Sequence, residues 1–550
     1  MLIDGLAQWV PEDDEQVEEQ TVGGLLRWAA AQAPDEVALV AGTPDPAQRR
    51  RWTFGGLLAE SEQVARALGR RFGPGERVAV WAGNIPEWVV LEFGAALAGL
   101  TLVTVNPALR LSEARHVLSD SQAAGVFLVR EYRGVSLAGT MDSLRPELPG
   151  LREVVFFDQW DEFVRGAGPV PGGARPDPAL PEVQPGDPAQ IQYTSGTTGP
   201  PKGAMLSHRG IVNNARLSYG RLLGMGRGDT FVNPMPLFHT AGCVLATLGP
   251  MTVLAAQVLV PYFDPALVLE LVEAERSFVF GGVPTMLVAL LGHPDFDPAR
   301  LTSVRIALSG GASVAPELIR RVESSLGVPF SVIFAQTEAS PGITMTRADD
   351  GAEDRATTVG RPLPRTEVKI VDPVTGQTVA PGQTSELCTR GYHVMLGYLG
   401  DVGQAVDADG WLHTGDLAAM DDRGYSRIVG RLKEMIIRGG ENIYPWEIEQ
   451  VLAAHPDVIE VAVVGVPDPY WGEQVAAVVR LREPAAGSVT DEDLAAFGRD
   501  RLARHKVPKI WHRTEAFPLT GSGKVMKHVL REQVLGGQVP DGQRADEGSS

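Results

Sequence analysis

Cysteine is nearly missing from this chain. Only Cys243 and Cys388 occur in 550 residues, far apart and without metal-ligand spacing. A disulfide-stapled secreted scaffold does not fit, and a reducing, cytoplasmic setting is expected. Positive charge is also scarce: 49 Lys and Arg stand against 68 Asp and Glu, a net charge of -19. A general nucleic-acid binder needs a basic surface to replace counterions, so no nucleic-acid partner is expected. A local pocket on an acidic protein can still be positive and take a small anion. Unbroken apolar runs are lacking too. The most apolar stretch, Ala241 to Phe263, is interrupted by Gly249-Pro250 and contains Gln257. It reads as a buried helix followed by a strand, with no integral membrane segment. The first ten residues lead into an acidic run and do not read as a secretory signal. No internal repeats are visible.

What is present is concentrated in one stretch, Tyr193-Thr194-Ser195-Gly196-Thr197-Thr198-Gly199-Pro200-Pro201-Lys202-Gly203. Glycines let a backbone turn sharply and bring its N–H groups to an anion. The hydroxyls and the Lys202 ammonium add donors suited to phosphate oxygens. The spacing is not that of a P-loop, because the lysine is followed by Gly203 and not by Ser or Thr. A short Gly/Ser/Thr loop is usually a plain surface turn; this one is longer and more particular.

A chain of this length divides into at least two domains. The first part alternates strand and helix signals. Arg77–Trp81 reads as a buried strand, Pro86 to Leu100 as a helix and Leu102–Val105 as the next strand. Further strands are expected at Gly125–Val129, Val154–Phe157, Ser277–Phe280, Ser303–Ala307 and Ser331–Phe334. The fold class is therefore α/β: a large N-terminal domain of layered, mostly parallel sheets with helices, plus a small α+β C-terminal domain. A Pro- and Gly-rich connection, Gly166 to Gly186, leads into the phosphate loop. Beyond Gly430 the segments shorten, with strands at Val458–Val466 and Val475–Leu481 and a helix from Asp491 to Arg504. The expected division is 1–431, then 432–536, then a disordered tail at 537–550.

Further stretches carry chemistry. Ser309-Gly310-Gly311-Ala312 follows a strand and precedes a helix at Pro316, where α/β folds place ligands. Phe334-Ala335-Gln336-Thr337-Glu338 follows another strand end. Gly410 to Asp416 offers a carboxylate in a turn, though an Asp there is often only a turn former. Then come Gly430-Arg431-Leu432-Lys433-Glu434, Arg438-Gly439-Gly440-Glu441-Asn442 and Pro518 to Lys524. With the opening loop, these resemble the AMP-forming acyl-CoA synthetase superfamily, from about Val22 to Val534. Gly391–Tyr398 and Ile436–Tyr444 look most like medium-chain acyl-CoA synthetases.

The resemblance implies an ATP-dependent ligase in two steps. A carboxylate attacks the α-phosphorus of ATP to give acyl-AMP and pyrophosphate, and CoA then displaces AMP. By the same resemblance, Thr194, Ser195, Gly196, Thr197, Thr198, Gly199 and Lys202 would hold the β- and γ-phosphates. Thr337 would bond the α-phosphate, and Glu338 would hold Mg²⁺ directly or through water. Glu338 could also be a helix N-terminal residue favoured by the dipole. Asp416 would accept the ribose hydroxyls, and Arg431 would contact ribose or phosphate. Gly310, Gly311 and Ala312 would lie beside the adenine or the acyl group. Phe334 would stack on adenine, with Ala335 and Gln336 beside it. Here the chain has Phe334-Ala335 where the family usually has Tyr-Gly. His239 would line and gate the acyl tunnel, in a pocket made roomy by Thr240, Ala241 and Gly242, with Val283, Met286 and Pro341 near it. Lys524 would reach the α-phosphate and the carboxylate in the first step. A swing about Lys433 would then remove it and bring Arg438, Gly439 and Gly440 to CoA. Lys527 stands where many relatives carry Arg, which keeps charge and loses the fork.

The expected substrate is a medium-chain, aromatic or other bulky carboxylic acid. Transfer to a carrier protein, one half-reaction alone, or adenylation of another oxyanion stay open as alternatives, as does a homodimer. From another class, a non-catalytic nucleotide-binding relative is opposed by Lys202, Thr337, Glu338, Asp416, Arg431 and Lys524 standing together.

Overall fold

A computed structural model describes residues 2–11, 15–166, 179–194, 201–400, 405–482, 489–518 and 525–537. The expected loop residues Ser195, Gly196, Thr197, Thr198 and Gly199, together with Lys524 and the tail beyond Gly537, lie outside the described residues.

Two mostly parallel sheets form the bulk. The first has seven strands: Gly397–Tyr398, Lys202–Ser207, Pro188–Thr194, Thr101–Val105, Arg77–Trp81, Gly125–Leu128 and Glu153–Phe156, in that spatial order. From Pro188–Thr194 onward the neighbours run parallel. The second has nine strands, with a parallel run through Phe330–Ala335, Ile306–Gly310, Val279–Gly281, Thr230–Asn233, Ala256–Leu259 and Val37–Ala41. Parallel strands need helical crossovers, and the apolar faces of Pro86–Leu97, Leu111–Ser121, Pro265–Ala274 and Pro316–Leu326 supply them. Trp81, Trp88, Phe54, Phe93 and Phe127 are fully buried. Each such ring contributes on the order of 2–3 kcal/mol by leaving water.

A third sheet is antiparallel, in the order Gln8–Trp9, Thr366–Val371, Thr384–Gly391, Leu412–Met420 and Ser426–Arg431. The sequence reading does not foresee it. It corrects one local expectation: Asp416 is not in a turn but within the strand Leu412–Met420. The left-handed Gly415 (φ +69°) and an irregularity between Leu417 and Ala418 interrupt the pleat there.

Beyond the 3₁₀ turn Leu432–Glu434 lies a fourth sheet. It contains Ile436–Arg438, Glu441–Ile443, Val458–Asp468, Gly472–Leu481 and Ile510–Arg513. Helices Pro445–Ala453, Asp491–Arg499 and Lys527–Gly537 belong to this part. The helix expected to reach Arg504 ends at Arg499, because the chain turns so that Leu502 and Val507 can enter the core beside Leu452 and Ala495. Likewise the strand expected at Ser303–Ala307 begins at Ile306. Leu301 to Val304 first makes a turn, and Ile306 is the residue in register with Val279.

The apolar stretch folds as expected into a helix and a strand, but the helix Ala241–Leu248 is π-wound. Among the described residues no helix is long and apolar enough to cross a membrane.

Candidate active site

The C-terminal ends of parallel strands converge here, as they do around ligands in open α/β sheets. The strand Pro188–Thr194 ends on Thr194. Thr194 pairs directly with Lys202 on the next, antiparallel strand, so both margins of the glycine-rich loop are anchored on one ladder. Lys202 is exposed, and its Nζ stands 5.0 Å from the centroid of the Tyr398 ring.

The run Phe334 to Glu338 joins all three sheets of the large part. It leaves the nine-stranded sheet at a register irregularity between Phe334 and Ala335. Gln336 Nε2 donates to Asp416 Oδ2 and, at 3.0 Å, to the Thr414 carbonyl in the antiparallel sheet. Thr337 opens the 3₁₀ turn Thr337–Ala339, which carries Glu338. Glu338 Oε1 accepts from Tyr398 Oη at 2.7 Å and from Thr194 Oγ1 at 3.3 Å, both in the seven-stranded sheet. Burial and the nearby Glu338 carboxylate push the Tyr398 phenol well above its ordinary value, so it stays a donor.

Asp416 is buried and lies in register with Arg431 on the adjacent strand. Arg431 Nε sits 3.1 Å from Asp416 Oδ1. With Gln336 on the other oxygen, the carboxylate is held from two sides.

Gly310 ends the strand Ile306–Gly310, and the sheet itself requires it to be small. A Cβ there would lie 2.6 Å from the Ile333 carbonyl oxygen, inside the sheet itself. Gly311 is left-handed (φ +77°), and a Cβ there would meet only Val283 Cγ1, at 3.7 Å. Gly311 and Ala312 are exposed, as a binding margin requires. Ala335 packs against the cluster that contains Ile333, Met345 and Leu363.

His239 is half-buried in the turn after the strand Thr230–Asn233. Asn84 clamps this turn: its Nδ2 donates to the Met235 carbonyl at 2.9 Å, and its Oδ1 accepts from Leu237 N–H at 2.8 Å. A Cβ on Gly242 would sit 2.2 Å from the Pro236 carbonyl oxygen, so its small size lets the π-helix press on the His239 turn.

Lys433, Arg438, Gly439 and Gly440 are not gathered into this cluster. Lys433 lies in the turn Leu432–Glu434, and the other three lie on or beside the strand Ile436–Arg438 of the fourth sheet. Arg438 Nε donates to Gln474 Oε1 at 2.7 Å, and its guanidinium lies 4.4 Å from the centroid of the Trp471 ring. Lys527 Nζ bridges Glu434 at 2.9 Å and Glu449 at 2.8 Å. Burial opposes that charge, but the two carboxylates outweigh it and raise the ammonium above its usual value.

Tyr398 and Asn84 are the contributors that sequence reasoning missed. The only signal for Tyr398 was its place at the end of the Gly391–Tyr398 run.

Comparison with known proteins agrees with this geometry. The AMP-binding enzyme family matches residues 26–399, and the AMP-binding enzyme C-terminal domain matches 447–524. The provisionally named acyl-CoA synthetase YngI of Bacillus subtilis (strain 168) is 41% identical over 94% of this chain and 97% of its own. The mitochondrial medium-chain acyl-CoA ligase ACSF2 of Rattus norvegicus is 36% identical over 97% of this chain and 90% of its own. Among solved structures, the anthranilate CoA ligase AuaEII in complex with anthranoyl-AMP superposes with a TM-score of 0.83 at 25% identity, covering 96% of this chain and 99% of that one. ATP-bound MatB from Rhodopseudomonas palustris gives 0.81 at 28%, covering 93% and 98%. The chain belongs to the AMP-binding enzyme family, among its acyl-CoA synthetases, and is by class an AMP-forming acid–thiol ligase.

Proposed function

We propose that this enzyme activates a medium-chain, aromatic or other bulky carboxylic acid as acyl-AMP and transfers the acyl group to CoA. The single observation that carries the reading is the run Phe334 to Glu338, which binds three sheets into one site. Through Gln336 it reaches Asp416, and through Glu338 it reaches Thr194 and Tyr398. In this reading Thr194, Lys202 and Thr337 take the phosphates and Asp416 the ribose, with Thr194 and Asp416 held in advance by Glu338, Gln336 and Arg431. Such a site need not reorganise as charge develops. The names of the relatives, a medium-chain ligase and an anthranilate ligase, support the substrate class.

The chemistry is two displacements. A substrate carboxylate oxygen bonds to the α-phosphorus, and the bond to pyrophosphate breaks. The CoA sulfur then bonds to the acyl carbon, AMP leaves, and the thiol proton is lost. Lys524 neutralises the crowded anions of the first step. The units 1–431 and 432–536 rotate about Lys433, so that Arg438, Gly439 and Gly440 serve the second. His239, on its clamped turn, lines the acyl channel.

Mg²⁺ fits the donor set. Glu338 offers a carboxylate, Thr194 a hydroxyl 3.3 Å from it, and both are hard oxygen ligands of the kind this ion shares with phosphates. When bound, it supplies positive charge against the phosphate oxygens. The two separated thiols, both free of disulfides, support a cytoplasmic setting.

The test is pyrophosphate release with a panel of acids, followed by mass detection of the thioester. Medium-chain or aromatic acids are expected to exceed acetate in kcat/KM by about 10-fold or more. Preference for acetate would overturn the substrate class. A thioester formed only on a phosphopantetheine carrier would overturn the acceptor.

A further inference from the structure

On the strand that carries Asp416 and on its neighbour Thr384–Gly391 lies a cluster that the reaction above does not use. Glu386 and Cys388 are two apart on the strand Thr384–Gly391, on either side of an irregularity in its pairing with Leu412–Met420. His413 is in register with Cys388 on the neighbouring strand. Glu386 Oε2 is 2.9 Å and Cys388 Sγ is 3.4 Å from the same atom, His413 Nδ1. The three possible ligand atoms all lie within 4.8 Å of one another. On the far side of the ring, Asp407 Oδ2 is 3.7 Å from Nε2.

We propose that Glu386, Cys388 and His413 form a binding site for one borderline divalent cation of the Zn²⁺ type, with Asp407 orienting the imidazole.

The geometry suits the ion. Tetrahedral bonds of about 2.0–2.3 Å place ligands roughly 3.3–3.7 Å apart, so only small side-chain shifts are needed to seat it. A thiolate, an imidazole and a carboxylate make a donor set that selects Zn²⁺ over Mg²⁺ or Ca²⁺, which prefer oxygen alone. The 2.9 Å contact of His413 to Glu386 Oε2 is that of an Nδ1–H donor; a bound cation would take that proton's place, with the remaining ring N–H on Nε2 toward Asp407 Oδ2, 3.7 Å away. A carboxylate behind a metal-bound histidine is the usual means of fixing the ring.

Binding replaces the Cys388 S–H bond with a sulfur–metal bond, and the proton goes to solvent. Cys388 and Glu386 are buried, while the His413 side chain is 40% exposed and leaves the fourth position open to water. Lys369, opposite Cys388, lies over the Trp411 ring at 4.2 Å. The site is separate from Glu338. It adjoins the nucleotide segment through Glu386 Oε1, which accepts the Gly415 N–H at 3.1 Å, and through Thr414 Oγ1, which donates to the Leu387 carbonyl at 2.6 Å.

The experiment uses the full chain, free of any affinity tag, stripped with chelator and titrated with Co²⁺ under anaerobic conditions in excess Mg²⁺. One equivalent is expected to give a near-ultraviolet thiolate-to-cobalt band that Zn²⁺ abolishes. Cys388→Ser should remove the band, and Cys243→Ser should keep it. Asp407→Asn should keep the band and weaken binding roughly 10- to 100-fold. Because Cys388 is fully buried and its variant could misfold, His413→Gln, altered at an exposed side chain, is the second probe; it should weaken Co²⁺ binding by about 10-fold or more. No band at one equivalent, a band that survives Cys388→Ser, or undiminished affinity in His413→Gln would overturn the site.

Discussion

The nucleotide side of the molecule and the loop at Arg438 to Gly440 are built in opposite ways. On the nucleotide side the two carboxylates have fixed neighbours: Asp416 has Arg431 and Gln336, and Glu338 has Tyr398 and Thr194. At the other loop, Gly439 and Gly440 are left-handed (φ +60° and +86°) and exposed, and the nearby Tyr470 is 82% exposed. Groups that must stabilise charge gain from being held in advance. Groups that serve a later step gain from standing clear until the chain rearranges. The connection between the two regions is one short 3₁₀ turn, Leu432–Glu434. Lys527 pins the far side of that turn to the helix Pro445–Ala453 through Glu434 and Glu449. The small part is thus braced internally right up to the proposed pivot.

The contrast breaks most visibly at Lys524. Lys524→Ala is expected to slow acyl-AMP formation by about 10²–10³-fold, the usual cost of removing one preorganised charge donor. Thioester formation from supplied acyl-AMP should stay within about 3-fold, because in our reading the lysine has withdrawn by then. Single-turnover measurement of each half-reaction decides. Equal loss in both would mean that the two regions do not divide the labour.

A smaller effect of opposite sense is expected at Gly439. A Cβ there would lie 2.7 Å from the Trp471 ring, and φ +60° disfavours a branched side chain by roughly 1–3 kcal/mol. Gly439→Val should therefore slow thioester formation by about 10-fold, as a cost of 1.4 kcal/mol implies, and leave adenylation nearly unchanged. If adenylation falls equally, the loop already belongs to the first site.

These two variants rest on motifs that were legible in the sequence, and the reason is physical. Arg77–Trp81 reads as a strand because both of its faces are buried, which leaves a continuous apolar run. Ser309 to Ala312 and Phe334 to Glu338 read as site segments because small and polar residues follow such runs. The antiparallel sheet was not legible. Thr384–Gly391 and Leu412–Met420 mix polar and apolar residues, and an irregularity between Glu386 and Cys388 spoils their alternation. The partners within the site were hidden for a different reason. Glu338 and Tyr398 are 60 residues apart, and Gln336 and Asp416 are 80 apart, so only the packing of three sheets joins them. Local pattern gives the groups; pairings at that range come from tertiary structure.

The last test reads the large part by its response to acid, as a change of slope and not of activity. His208 caps the large part from inside: its Nδ1 accepts the Val22 N–H at 3.3 Å, where the helix Val22–Gln32 begins. Burial lowers its pKa to about 4, against a weaker opposing pull from Asp187. An unfolded histidine titrates near 6.5. Between these values the unfolded chain takes up a proton that the folded chain refuses, so stability falls as pH drops from about 6.5 to about 4 and levels off below. The full contribution is at most about 3 kcal/mol for a group this buried. His208→Asn keeps an acceptor near the Nδ1 position and cannot titrate. Its Tm should therefore fall less steeply than the parent's across that window, while the two proteins converge in slope above pH 7. A parent and variant with parallel slopes throughout would show that His208 does not set the slope, and that the acid sensitivity of the large part comes from other groups, the buried His393 and the carboxylates.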